Sequence, residues 1–234
     1  MEESLSEALG HISSVPAQEP AIERGLDQIQ QLLSDLCRTK VDDARRTLTA
    51  QLHGRPELKE LLALQDSFIY NIASRIVPVL PILNGEVLIK ALTILEGVCL
   101  LHFPSRHIFA QKSSMEQLIK ILSSTDPEVI IATINVLPAV MVREPANIRI
   151  FEECGGLAVI AKLLKDKESA KTVKLRILEF LFFYLIPETK HPDKRGRKTT
   201  DQKAKLLSQH LTNVNGLVRE LHTTKPFGEL DLEW

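Results

Sequence analysis

The stretch FEECGGLAVIAKLL, Phe151 to Leu164, sets Cys154 before two glycines and an apolar run. Two chemistries use such a segment: a thiolate nucleophile at the head of a helix, or a glycine loop that cradles phosphate. The spacing argues against both. A phosphatase-type loop carries an arginine at the sixth position after its cysteine, and that position is Ile160. After Cys99 it is Ser105, with Arg106 one place too far, and after Cys37 it is Asp43. Neither GxxxxGK[ST] nor GxGxxG occurs here, and no strand precedes Gly155-Gly156. The glycines are therefore expected to form a left-handed or tight corner between two helices, and Cys154 to be a structural thiol.

The remaining chemical candidates are weaker. His102 and His107 are five residues apart, which does not put both on one helix face, and HExxH does not occur. Packing or capping is expected of them rather than metal binding. No Ser-His-Asp arrangement can be inferred from the sequence, and no catalytic residue, metal site or cofactor is expected. The basic run Lys190, Lys194, Arg195, Arg197 and Lys198 is the clearest charge feature. It has no interleaved aromatics for base stacking, so nucleic acid is not the expected partner. It reads as a solvated loop, with Thr199 and Thr200 beside it as candidates for phosphorylation, or as a contact for phosphate groups or an acidic partner.

The elements that position these residues are helical. The chain has 234 residues, 44% apolar and 25% charged, with a net charge of −1 and few aromatics. That is a globular composition with no global pull toward nucleic acid or anionic membrane. Its three cysteines are far apart and odd in number, which fits a reducing compartment, and a cytoplasmic location is expected. The N-terminus is no secretory signal, and the longest apolar run, Ile177 to Ile186, is broken by Glu179 and too short to span a bilayer.

Internal similarity carries the fold assignment. Ile108-Phe109 and Ile150-Phe151 lie 42 residues apart, and the same offset relates Ile121-Leu122 to Leu163-Leu164 and Ile94-Leu95 to Val136-Leu137. Each unit reads as a short helix (SRHIFAQK; ANIRIFEE), a corner, a second helix (SMEQLIKILSS; GLAVIAKLLKD) and a long third helix (PEVIIATINVLPAVM; AKTVKLRILEFLFFYL). This is the armadillo/HEAT pattern, so the expected fold is all-α: an α-solenoid of about three to four repeats with a C-terminal capping helix. Residues 1–20 read as a flexible arm or a weak first helix. Residues 21–234 read as a single helical domain with a basic loop at 187–199, a last helix over 200–222 and an extended tail over 223–234. Another helix is expected through VDDARRTLTAQL. Pro78, Pro81 and Pro138 are expected to kink their helices. Asp126 with Pro127, and the Thr199-to-Gln202 spacing, predict helix starts.

A solenoid of this kind binds along its third helices. In the last copy, Thr172, Arg176, Glu179 and Phe183 form one stripe, and Leu175, Leu178, Phe182 and Leu185 are expected to form the core stripe. Phe183 is either an exposed hot spot or packs under the C-terminal helix. Lys90 and Thr133 take the place of Arg176 in the earlier copies.

Several segments resemble a known family. EGVCLLHFPSRHIF, REPANIRIFEECGGL, RILEFLFFYLIPE, KLLSQHLTNVNGL and KPFGELD are similar to the fungal cell division control protein 14 family, the septation initiation network component. This family shares only its name with a dual-specificity phosphatase, and the absent Cys-x5-Arg loop agrees with that distinction. The resemblance runs from about Ile22 to the end. It implies a non-catalytic partner of a germinal-centre (Ste20-like) protein kinase, forming a heterodimer with it, needed for septation and cytokinesis and recruited to the spindle pole body. The family-like polar positions are Glu96, His102, Arg143, Arg149, Glu179, Tyr184, Glu188, Lys203 and Asn213, with Pro226-Phe227-Gly228 in the tail. Lys90, Glu96, Arg143, Arg149, Arg176, Glu179, Phe183, Lys203 and Phe227 are thus the expected partner-binding residues. The alternative is a module that binds an acidic peptide or anionic phospholipid through the 190–198 loop.

Overall fold

Apolar residues at three- and four-residue steps become helices throughout a computed structural model that describes residues 1–16, 18–37, 55–189, 196–224 and 226. Among these residues there is no strand, so the described chain is all-α. The helix expected over 41–52, residues 190–195 of the basic loop and the tail beyond 226 lie outside the described residues. No single described helix is long and apolar enough to cross a membrane. The chain divides into two compact units, Met1–Ile108 and Phe109–Trp234.

In the first unit the initial residues form a helix, the second of the two alternatives for that segment. Helix α1 (Glu2–Ile12) buries Leu5, Ala8, Leu9 and Ile12, and it packs on α2 (Glu19–Cys37), which buries Ile22, Leu26, Ile29 and Leu36. Glu2 and Glu3 in the first turn of α1 suit the positive end of the helix dipole. Helix α3 (Pro56–Gln65) starts at its proline, as expected. Helix α4 (Ile72–Ile76) is capped by Asn71, whose side chain accepts from the Ser74 N–H at 2.9 Å. The chain then tightens into a 3-10 segment, Val77–Ile82, through Pro78 and Pro81. Here the prolines change the helix type instead of bending one helix. Helix α5 (Gly85–Leu101) is buried at Val87, Ala91, Leu92, Leu95, Val98 and Cys99 and packs on α2 and α4.

The expected short helix SRHIFAQK is a 3-10 segment, Phe103–Ala110. The second unit then follows the expected order: α6 (Lys112–Ile121), α7 (Pro127–Met141), α8 (Pro145–Glu153), α9 (Gly156–Lys165) and α10 (Lys171–Leu185). Asp126 caps α7 by accepting from the Glu128 N–H at 2.9 Å. The helix α7 runs through Pro138 to Met141. The two long helices, α7 and α10, pack side by side.

The last helix is corrected by the structure. It breaks into α11 (Thr200–Leu207) and α12 (Val214–Thr224), both packed on α10. Helix α11 stops at Ser208, and Thr212 and Asn213, which favour helix starts over helix interiors, precede the restart at Val214. The start at Thr199 is as expected. Thr199 Oγ1 accepts from the Gln202 N–H, and Gln202 Oε1 accepts from the Thr199 N–H at 2.9 Å.

The core stripe of α10 is also corrected. Leu175 is 59% exposed, and Leu178 and Phe182 are half-buried; of the four expected residues only Leu185 is buried. The buried face is Val173, Ile177, Phe180, Leu181, Tyr184 and Leu185. LRILEFLFFYL is apolar nearly all round, so its period does not select a face; the packing of α7, α9, α11 and α12 does.

Candidate functional site

Two of the three thiols, Cys99 and Cys154, are disfavoured as thiolates. Cys99 is fully buried on α5, and burial pushes its thiol up to about 12 against the attraction of Arg106. Cys154 ends α8, and burial followed by the Glu116 carboxylate also raises its thiol. Both shifts oppose the thiolate. For Cys99 the sign of the linkage is explicit. A raised folded pKa gives stability that is whole below the unfolded value of 9.0 and is lost as pH climbs toward 12. The stability advantage of the wild type over Cys99→Ala, read by urea unfolding, should shrink between about pH 8 and about pH 10.5. A constant difference would contradict the buried neutral thiol.

Gly155 and Gly156 form the expected corner, with a separate reason for each. Gly155 sits at φ 77° as the residue capping α9. A Cβ on Gly156 would lie 2.2 Å from the Phe151 ring. Phe151 is fully buried and meets Phe180 edge-on, with ring centroids 5.6 Å apart. The corner therefore anchors the core.

One arrangement invisible in the sequence is a Ser-His-Asp set. His102 Nδ1 is 2.8 Å from Ser105 Oγ, and His102 Nε2 is 3.1 Å from Asp66 Oδ1. Hydrolytic triads need a reachable hydroxyl. Ser105 is 3% exposed, and its oxygen already accepts from Asn71 Nδ2 at 3.0 Å. The set fastens the loop after α3 onto the segment after α5. Histidine in a packing role is what the spacing suggested.

The strongest concentration of charge lies in the second unit. Glu188 is fully buried; its Oε1 accepts from Arg149 Nη2 at 2.7 Å and faces Lys203 Nζ at 2.9 Å. Its Oε2 accepts from the Lys198 N–H at 3.0 Å. Glu152 accepts from Tyr184 Oη at 2.8 Å and from Lys198 Nζ at 2.6 Å, and lies 3.0 Å from Arg149 Nη2. Lys203 Nζ also donates to the Ile186 carbonyl at 2.8 Å and sits 5.3 Å from the Tyr184 ring centroid. Burial pulls the Lys203 ammonium down to about 8, outweighing the attraction of Glu188. Burial and Glu152 push the Tyr184 phenol up. The network ties α8, α10 and the residues after α10 to α11.

This geometry sorts the expected partner-binding residues. Arg149 and Lys203 belong to the internal network, and Lys203 is 1% exposed, so its charge faces its own chain. Glu152 was missed, although its place three residues after Arg149 was a readable signal. Lys90 lies in the first unit, paired with Asp27 and, at 3.6 Å, with Glu23. Glu96 is half-buried on α5. Arg143 is exposed, at φ 60° in the turn after α7. Thr133, the counterpart of Arg176, is fully buried and donates to the Val129 carbonyl at 2.7 Å, so it does not line a surface. Arg176 and Glu179 form an exposed pair at 2.7 Å on α10. Phe183 is half-buried, its ring tilted against Phe180 at 6.4 Å. Phe227 lies outside the described residues. The structure thus brings together Arg149, Tyr184, Glu188 and Lys203, and leaves Arg176, Glu179 and part of Phe183 as an open stripe.

Comparison with known proteins agrees with the sequence resemblance. The model of the family described as cell division control protein 14, SIN component, matches residues 1–197. The chain is 30% identical over 250 residues to the cell division control protein 14 of Schizosaccharomyces pombe, covering 99% of this chain and 98% of that protein. No solved structure matches. The chain belongs to the cell division control protein 14 family, the component of the septation initiation network.

Proposed function

We propose that this chain is a non-catalytic adaptor, built as an armadillo-like solenoid, that binds a germinal-centre (Ste20-like) protein kinase and supports it during septation and cytokinesis. The observation that carries this reading is how the reactive groups are used. The Cys99 and Cys154 thiols are raised and the Ser-His-Asp set is closed on itself, while Arg176 and Glu179 stay exposed on α10. Side-by-side packing of α7 and α10, two helices one repeat apart, supports the solenoid, and α11 and α12 packed on α10 support the capping role. Binding would work by complementarity of a surface formed before the partner arrives. Heterodimer formation with the kinase, a cytoplasmic pool and recruitment to the spindle pole body follow from the family reading and are proposed with it.

The test uses the exposed pair. Arg176→Glu with Glu179→Arg keeps an i,i+3 ion pair and reverses the charges a partner meets. The double variant should unfold like the wild type and retain roughly a tenth or less of the co-purifying kinase. Unchanged co-purification would exclude the α10 stripe as the kinase site. Of the cations in the alternative site for an acidic peptide or anionic phospholipid, Lys198 bonds Glu152 and Arg197 Nη1 donates to the Glu188 carbonyl at 3.2 Å, so these two are engaged within the chain.

A further inference from the structure

In the first unit, the loop 66–71 between α3 and α4 is held by an unusual number of buried polar groups. Gln65 is 2% exposed, and its side chain spans the loop. Gln65 Nε2 donates to the Tyr70 carbonyl at 2.9 Å, and Gln65 Oε1 accepts from the Ile72 N–H at 2.8 Å. Asn71 Nδ2 donates to the Gln65 carbonyl at 2.8 Å, and Arg75 Nη2 to the Ile69 carbonyl at 3.3 Å. Asp66 is fastened to His102, as described above. A loop so constrained would be expected to hide its apolar side chains. It does the reverse: Phe68 is 75% exposed and Ile69 62% exposed, and Phe103, next to His102, is 49% exposed. Residues fixed in this way cannot fold back to cover themselves, so the loop presents a preformed apolar knob.

The ground beside the knob is acidic. Tyr70 Oη donates to Glu2 at 2.6 Å, which sets the loop against the start of α1. There Glu2, Glu3, Ser6, Glu7 and Tyr70 line an open trough of about 680 Å³. Asp66 adds a further carboxylate, its side chain 70% exposed. The loop's cation, Arg75, stacks on Phe68 at 5.4 Å from the ring centroid and so stays with the knob.

We propose that Phe68, Ile69 and the acidic trough form a docking surface for a basic, apolar-bearing peptide segment of a partner protein: lysines or arginines over Glu2, Glu3 and Glu7, and apolar side chains against Phe68 and Ile69. The charge of the trough selects this occupant over an acidic segment or an anionic membrane. The surface shares no residue with the α10 stripe, so the inference stands whether or not that stripe binds a kinase.

The test uses the full chain and two labelled amphipathic helices, one of lysine and leucine and one of glutamate and leucine, read by fluorescence anisotropy. The lysine peptide should bind roughly tenfold or more tightly than the glutamate peptide, and its binding should weaken as salt rises. Phe68→Ser with Ile69→Ser should reduce it roughly tenfold while leaving the unfolding midpoint unchanged, since both side chains are exposed. Glu3→Lys with Glu7→Lys should also reduce lysine-peptide binding roughly tenfold, by reversing the charge of the trough. Equal binding of the two peptides, or full binding by either double variant, overturns the proposal. So does sedimentation showing a wild-type dimer that the Phe68/Ile69 variant lacks, because the occupant is then a second copy. Kinase co-purification is read in parallel. Retention by the Phe68/Ile69 variant alongside lost peptide binding supports the surface and leaves the α10 reading intact.

Discussion

Glu188→Ala lowers the stability of the unit Phe109–Trp234 by about 3–5 kcal/mol. The side chain is fully buried, and its carboxylate meets Arg149, Lys203 and the Lys198 N–H. Its removal leaves Lys203, itself 1% exposed, with the Ile186 carbonyl as its acceptor among the described residues and without its buried carboxylate partner. Thermal unfolding followed by circular dichroism should show a midpoint lower by about 10 °C. Replacing the three charges together, Arg149→Met with Glu188→Leu and Lys203→Met, should cost far less than the single change, because no buried charge is then left alone. If the triple variant is as damaged as Glu188→Ala, the network contributes by shape and not by charge.

Gly156→Val costs about 2–3 kcal/mol, by overpacking. The added Cβ meets the Phe151 ring at 2.2 Å, and that ring is held from the other side by Phe180. Combining it with Phe151→Ala, itself costly, should give less than the sum of the two losses, since the ring that clashes is gone. Chemical denaturation of the four proteins of this cycle gives the coupling directly, and strict additivity would show that the ring moves aside.

Elements built on a clear period were legible in the sequence. The corner at Gly155-Gly156, the start of α7 at Asp126-Pro127 and the capping box at Thr199 were all set by short-range chemistry that a sequence displays. Two features were not. The buried face of α10 was lost because apolar residues surround the helix, and α1 was read only as an alternative to a loose arm. For α1 a signal was present. Gly25 sits inside α2, where glycine weakens a helix, and a Cβ there would lie 2.5 Å from the Ala8 carbonyl. Its absence lets α1 approach closely. The ion network was half legible. Arg149, Tyr184, Glu188 and Lys203 stood out one by one, but only the folded chain shows that they meet each other. The same holds for Asp66, His102 and Ser105, which are joined across 39 positions of sequence.

The way Glu188 and Lys198 are joined has a consequence for chain length. The Glu188 N–H donates to the Lys198 carbonyl at 2.9 Å, and the Lys198 N–H returns to the Glu188 carboxylate. The two ends of the intervening segment are thus clamped to each other. Lengthening a closed loop costs little, about 0.6 kcal/mol for each doubling. Insertions between Thr189 and Gly196 are therefore expected to shift the unfolding midpoint little, which thermal unfolding of an insertion variant checks. This makes the clamped segment the place to graft an epitope or a fluorophore-bearing peptide.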